Sequence, residues 1–163
     1  MAQNSSYVTV DGEFDSLEDR SFLTIDDYDL SGQNVILRID INSSINPENG
    51  DLLDDTRIKR HSATVKELSD KHARVIILAH QSRPGKLDFV NLEKHGERMS
   101  QIINKEIKFI DDIYGKEAII HISNIKDGEI ILLDNVRFDD EEIELSKFMN
   151  DNFDIQRKSK MVR

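Results

Sequence analysis

The stretch NVILRIDINSS, residues 34–44, decides the fold. Read as a strand, it places Val35, Leu37, Ile39 and Ile41 on one face and Ile36, Arg38, Asp40 and Asn42 on the other, so polarity grows toward its carboxyl end. The β-rich part, 35–41, is followed by further short runs at 75–79, 106–110 and 129–133. Between the first two, residues 56–72 bring Ile58, Val65 and Leu68 near one helical face, with Thr56 placed to cap the start. Between the next two, residues 91–104 space Leu92, Met99 and Ile103 for a second amphipathic helix, and Gly96 fills the intermediate turn at a cost of ~1 kcal/mol against alanine. A shorter helix is predicted over 116–123, and KDG at 126–128 turns the chain into the last run. The turn-rich segment 43–55 reads as a loop or small hairpin. Strands that alternate with helices at these lengths pair in parallel, because a parallel crossover takes about a dozen residues or more. The fold class predicted is α/β, a three-layer αβα sandwich with a mainly parallel sheet.

Composition narrows the function. The 163 residues suit one core, and the 32 acidic against 22 basic side chains give a net charge of -10. Such a surface repels a phosphate backbone or an anionic lipid face, so neither nucleic acid nor membrane is expected as a partner. With no cysteine, disulfides, thiolate zinc sites and cysteine nucleophiles are excluded, which suits a reducing cytoplasm. The longest strongly apolar run, 75–79, falls far short of the ~20 residues of a membrane helix. Residues 1–21 carry several carboxylates and no apolar signal core, and read as a flexible extension ahead of an α/β domain at 22–163. A cytoplasmic location is therefore expected, and the sequon-like triplets at Asn4 and Asn42 carry no meaning. KSKMVR, 158–163, reads as the opening of a helix without a cap, so the chain is expected to be a piece of a longer one.

In an open α/β sheet, ligands bind at the carboxyl ends of the strands. Asp40 and Asn42 stand at one such end, His80, Ser82 and Arg83 at the next in RVIILAHQSRPGK (74–86), and Arg137 at the last in GEIILLDNVRF (128–138). Taken singly, Asp40 and Asn42 serve equally well as loop caps, and a lone histidine is more often structural. Their convergence is the signal. Arg57 adds to it from the first turn of its helix, where the macrodipole disfavours a cation by ~0.3–1 kcal/mol unless an anion is also present, and Lys59 and Arg60 raise that cost. Arg57, Arg83 and Arg137 together would form a basin for a small anion, with Asp40 and Asn42 addressing hydroxyls. RPGK at 83–86 lacks the spacing of a P-loop, and no G-x-G-x-x-G occurs. The residues alone thus describe an anion-binding α/β domain with no nucleotide cradle and no metal site of its own. The alternative is a non-catalytic anion-binding or receiver-like module built on Asp111 and Asp112, although no companion aspartate and lysine accompany them; a degenerate relative kept for protein contact is a further one.

Five collinear blocks, LRIDIN (37–42), DDTRIKRH (54–61), VIILAHQSRPG (75–85), KFIDDIYG (108–115) and IILLDNVRF (130–138), resemble the N-terminal half of phosphoglycerate kinase, most of all its archaeal type. The resemblance runs from about Phe22 to Arg163. It implies an enzyme of glycolysis and gluconeogenesis that moves a phosphoryl group reversibly between 1,3-bisphosphoglycerate and ADP, that is, between ATP and 3-phosphoglycerate. It further implies that the Mg-ATP or Mg-ADP is held by a C-terminal nucleotide lobe outside this chain, so that the chain alone is inactive. By the same resemblance, Asp40 and Asn42 would meet the hydroxyl and carboxylate end of 3-phosphoglycerate, while His80, Arg83 and Arg137 would hold its phosphate. Arg57 would be the catalytic arginine that stabilises the transferring group, and Ile41, Gln81 and Ser82 would complete the binding set. Asp134 stands where the family has a glutamate, which leaves open the contact that acid makes, and the family's further substrate arginine would lie beyond Arg163.

Overall fold

A computed structural model describes residues 23–145. The predicted extension at 1–21 and the predicted helix opening at 158–163 lie outside the described residues. The chain runs through a 3-10 turn at Ile25–Asp27, β1 (Asn34–Arg38), α1 (Thr56–Asp70), β2 (Arg74–Leu78), α2 (Glu93–Ile103), β3 (Lys108–Ile110), α3 (Lys116–Asn124), β4 (Ile130–Leu133), a second 3-10 turn at Val136–Phe138, and α4 (Asp140–Leu145).

Among the described residues the strands form one four-stranded sheet in the order β1-β2-β4-β3, and every strand pairing is parallel, with Val35 opposite Val75, Ile76 opposite Ile131 and Ile110 opposite Leu133. The pleat sorts the side chains. Val75, Ile77, Ile130 and Leu132 meet Ile58, Val65 and Leu68 of α1 and Met99 and Ile103 of α2 on one side. Ile76, Ile131, Ile110 and Leu133 meet Ala118 and Ile122 of α3 on the other. Helices on both faces give the three layers, and β2 and β4 are buried on both sides as inner parallel strands are.

The two faces of β1 differ in exposure. Val35 and Leu37 pack on the core and Ile39 and Ile41 are buried, but Ile36 is 70% exposed. Among the described residues β1 pairs only with β2 and stands last in the sheet. Its ladder ends at Arg38, although the Ile39 amide still donates to the Leu78 carbonyl at 3.0 Å, so Asp40 and Asn42 begin the loop beyond the tip. β3 is shorter than the predicted 106–110, starting at Lys108.

α1 starts at Thr56 with Asp55 as its N-cap residue, so Thr56 is not the cap; its hydroxyl donates to Asp54 at 2.6 Å instead. Gly96 is more than a tolerated filler. A β-carbon there would lie 3.1 Å from Leu132 Cδ2, so the missing side chain lets α2 settle closely on β4. The segment at 43–55 forms a small hairpin, with a bridge between Ile45 and Leu52 and an Asn46 amide to Asp51 carbonyl bond of 2.9 Å.

Candidate functional site

The parallel sheet sends the ends of β1, β2 and β4 to one edge, and hydrogen bonds stitch the segments beyond them together. The Asp40 carboxylate accepts from the Asn42 amide at 3.1 Å and is ion-paired with Arg57. Asn42 Oδ1 accepts from the Ser82 amide at 2.7 Å. The Ser82 carbonyl accepts from Arg137 Nη1 at 2.6 Å, and the Ser82 hydroxyl donates to Asp88 at 2.6 Å. Arg57, Asp40, Asn42, Ser82 and Arg137 are thus links in one chain of polar contacts across three strand ends. Ser82 holds a φ of +57°, a left-handed backbone that side chains other than glycine and asparagine seldom adopt. That turn presents its carbonyl to Arg137.

His80 sits half-buried among the same groups. Burial first, and the Arg137 cation second, hold its ring below the ordinary value of 6.5, while Asp40 and Glu142 act the other way. At neutral pH the ring is therefore a neutral hydrogen-bonding group between charges. Arg83 follows Ser82 directly, is exposed, and among the described residues its guanidinium makes no hydrogen bond or ion pair.

Two residues of the expected set do not present their side chains to this edge. Ile41 and Gln81 are both 0% exposed. Ile41 belongs to the main core, where alternation puts it. The Gln81 amide is spent internally: Oε1 accepts from the Ser43 amide at 2.9 Å and Nε2 donates to the Ser43 carbonyl at 2.9 Å.

The helix-start argument for Arg57 also has an internal answer. The anions near the first turn of α1 are the protein's own: Asp40 pairs with Arg57, and Asp55 pairs with Lys59 at 2.7 Å and with Arg98 at 2.7 Å. The Arg57–Asp40 pair is half-exposed, 50% and 51%, so by the usual worth of such pairs, ~0–1 kcal/mol, it separates at little cost when a stronger anion arrives.

Sequence reasoning missed Glu142. It comes from α4, accepts from Arg38 Nη2 at 2.5 Å and lies 3.9 Å from Arg137 Nε, adding a carboxylate behind the arginines. Its run, DDEEIE, reads as a solvated acidic face, and only tertiary structure brings it here. Asp134, the acid shorter than expected, is buried and accepts from the amides of Leu92 at 3.1 Å and Asn135 at 2.7 Å. Burial raises its carboxyl above the ordinary value, against the pull of those two amides. It fastens the approach to α2 to the end of β4.

Asp112, which a receiver-like reading would need free, is consumed in starting α3: it accepts from the amides of Ile113 at 2.7 Å, Gly115 at 2.9 Å and Ala118 at 3.0 Å. Burial alone would raise its carboxyl, but those amides outweigh it and the net direction is down. Gly85 lies in a left-handed turn, φ +81°, closed by a Lys86 amide to Arg83 carbonyl bond of 3.2 Å, and a loop rather than a helix follows. The backbone donors and dipole that cradle nucleotide phosphates are therefore absent from this turn.

Fold and edge together define an α/β domain whose strand ends carry a polar, arginine-bearing edge. Comparison with known proteins carries the assignment further. The phosphoglycerate kinase family model matches residues 25–159, and the chain belongs to that family. It is similar to the phosphoglycerate kinase of Methanothermobacter thermautotrophicus, 50% identical over 122 residues that make up 75% of this chain and 30% of the relative. It is likewise similar to the phosphoglycerate kinase of Methanococcus maripaludis, 53% identical over 125 residues, 75% of this chain and 30% of that one. Among solved structures, the Pyrococcus horikoshii phosphoglycerate kinase superposes with a TM-score of 0.76 at 29% identity, over 86% of this chain and 33% of that one. The Coxiella burnetii enzyme gives 0.60 at 30% identity, over 78% and 32%. The chain therefore spans about 30% of the length of these curated relatives.

Proposed function

We propose that this chain is the phosphoglycerate-binding part of a phosphoglycerate kinase, the phosphotransferase that interconverts ATP plus 3-phosphoglycerate and ADP plus 1,3-bisphosphoglycerate. One observation carries the reading: the continuous polar chain from Arg57 through Asp40, Asn42 and Ser82 to Arg137, at the edge where an open α/β sheet binds its ligand. Arg83 and Arg137, with neutral His80 between charges, take the phosphate of 3-phosphoglycerate. Arg83 brings all its donors unspent, and Arg137 is aimed by its bond to the Ser82 carbonyl. Asp40 and Asn42 address the hydroxyl and carboxylate end.

Arg57, released from Asp40, neutralises charge on the transferring group, where positioning and electrostatics do most of the work of phosphoryl transfer. Mg-ATP does not fit the described residues; a nucleotide lobe supplies it. On this reading the chain alone binds but does not turn over, since alignment and water exclusion need the second lobe. The enzyme then serves glycolysis and gluconeogenesis in the cytoplasm. Among the described residues, no helix is long and apolar enough to cross a membrane.

Isothermal titration calorimetry of the chain tests this. Heat with 3-phosphoglycerate and none with glycerate is the expected result. No response to 3-phosphoglycerate from a chain that unfolds cooperatively would overturn it.

A further inference from the structure

The buried polar groups beneath the edge are not explained by ligand contact. His95, on α2, is 1% exposed; its Nε2 meets Gln81 Oε1 at 3.1 Å, and its Nδ1 is buried with no partner among the described residues. The contact to a carbonyl oxygen requires the proton on Nε2, which leaves Nδ1 a bare acceptor in the core. An imidazole with one nitrogen unsatisfied is a costly way to fill such a position, so its value lies in the single bond it makes.

That bond falls on the residue that joins the strand ends. The Gln81 amide closes a two-bond ring with the backbone of Ser43, through its oxygen and its nitrogen, each at 2.9 Å. The Gln81 carbonyl accepts from Asn135 Nδ2 at 2.8 Å, which adds the β4 end. One residue farther out, Asn42 and Ser82 make the contact described above at 2.7 Å. The buried ring therefore lies directly beneath the surface bond, Ser43 following Asn42 and Gln81 preceding Ser82.

We infer that His95 and Gln81 are positioning residues: the imidazole fixes the Gln81 amide, which sets the spacing between the Asp40–Asn42 half of the site and the Ser82–Arg137 half. The inference rests on the functional reading above for the identity of the ligand. It predicts a signature that simple destabilisation does not produce. A ligand that spans both halves, 3-phosphoglycerate, feels the spacing, whereas inorganic phosphate, held on the Arg83 and Arg137 side alone, does not.

The test is NMR titration of the chain with each ligand, together with amide hydrogen exchange in their absence, for wild type, His95→Met, His95→Gln and Gln81→Met. Loss of the His95–Gln81 bond should weaken 3-phosphoglycerate binding about tenfold in His95→Met; Gln81→Met, which also loses both bonds to Ser43, should weaken it at least as much, and both should leave phosphate binding within about twofold. His95→Gln, which keeps an N–H donor, should recover most of the affinity. In the free proteins the Ser43 and Ser82 amides should exchange faster in His95→Met and return toward wild type in His95→Gln. Equal weakening of both ligands, or unchanged affinities, would overturn the inference. If wild type binds 3-phosphoglycerate no better than phosphate, the functional reading fails. The exchange data then decide the positioning role: faster exchange that glutamine restores supports it, and unchanged exchange refutes it. Should His95→Met not fold, Gln81→Met and His95→Gln carry the same comparison.

Discussion

Replacing His95 by glutamine should make the protein less sensitive to acid. Burial pushes the His95 ring down to about 4 from an ordinary value of 6.5. The native state therefore holds the ring neutral over a range in which the unfolded chain protonates it. Because the unfolded state binds the extra proton, stability is complete above pH 6.5 and is lost as pH falls toward 4. The interval between those values corresponds to about 3 kcal/mol. Urea unfolding of wild type and His95→Gln at several pH values from 7 to 4 measures it, since the other titrating groups are common to both and cancel. The wild type should lose about 3 kcal/mol more than the variant over that range. Parallel stability curves would refute the reasoning, for they would mean that water or a proton reaches the ring in the folded protein.

Other changes follow from the same structure. Arg57→Ala should change stability by less than about 1 kcal/mol in urea unfolding, because its ion pair is half-exposed, while turnover falls by about a hundredfold or more in a chain that also carries the nucleotide lobe. Arg137→Ala should weaken 3-phosphoglycerate and inorganic phosphate alike, by about tenfold or more in NMR titrations, since it removes a guanidinium shared by both. Gly96→Ala should gain helix propensity but press on Leu132 at 3.1 Å, and the net expectation is a loss of about 1 kcal/mol, read from the thermal midpoint. Asp112→Ala, which strips three amides at the start of α3 of their acceptor, should cost about 1–2 kcal/mol with little change in ligand affinity.

Much of this architecture is legible in local pattern, because alternation and helical spacing act over a few residues. The division of 35–41 into a core face and an open face follows from the pleat, and Ile58, Val65, Leu68, Met99 and Ile103 are buried where their spacing puts them. What the pattern does not carry is lateral order. Nothing in NVILR tells that, among the described residues, this strand pairs only with β2. The charges at the strand ends were visible for the same local reason, one polar step past each apolar run.

Their partners were not. Glu142 arrives behind Arg38 from a different element, and Asp55 is drawn away from simple capping by Arg98 on another helix. Gln81 shows how neighbours in a motif can part: His80 and Ser82 stay at the edge, while the residue between them turns inward to Ser43 and His95. Alternation past the end of β2 hints at that inward turn, but the imidazole that meets it comes from fourteen residues on, in a helix whose pattern reads only as amphipathic.

A crystal structure of the chain with 3-phosphoglycerate bears most directly on the central claim. Ligand density with its phosphate against His80, Arg83 and Arg137 and its carboxylate end against Asp40 and Asn42 is the predicted result. Density elsewhere on the molecule, or an edge left empty at ligand concentrations that saturate the protein, would contradict it.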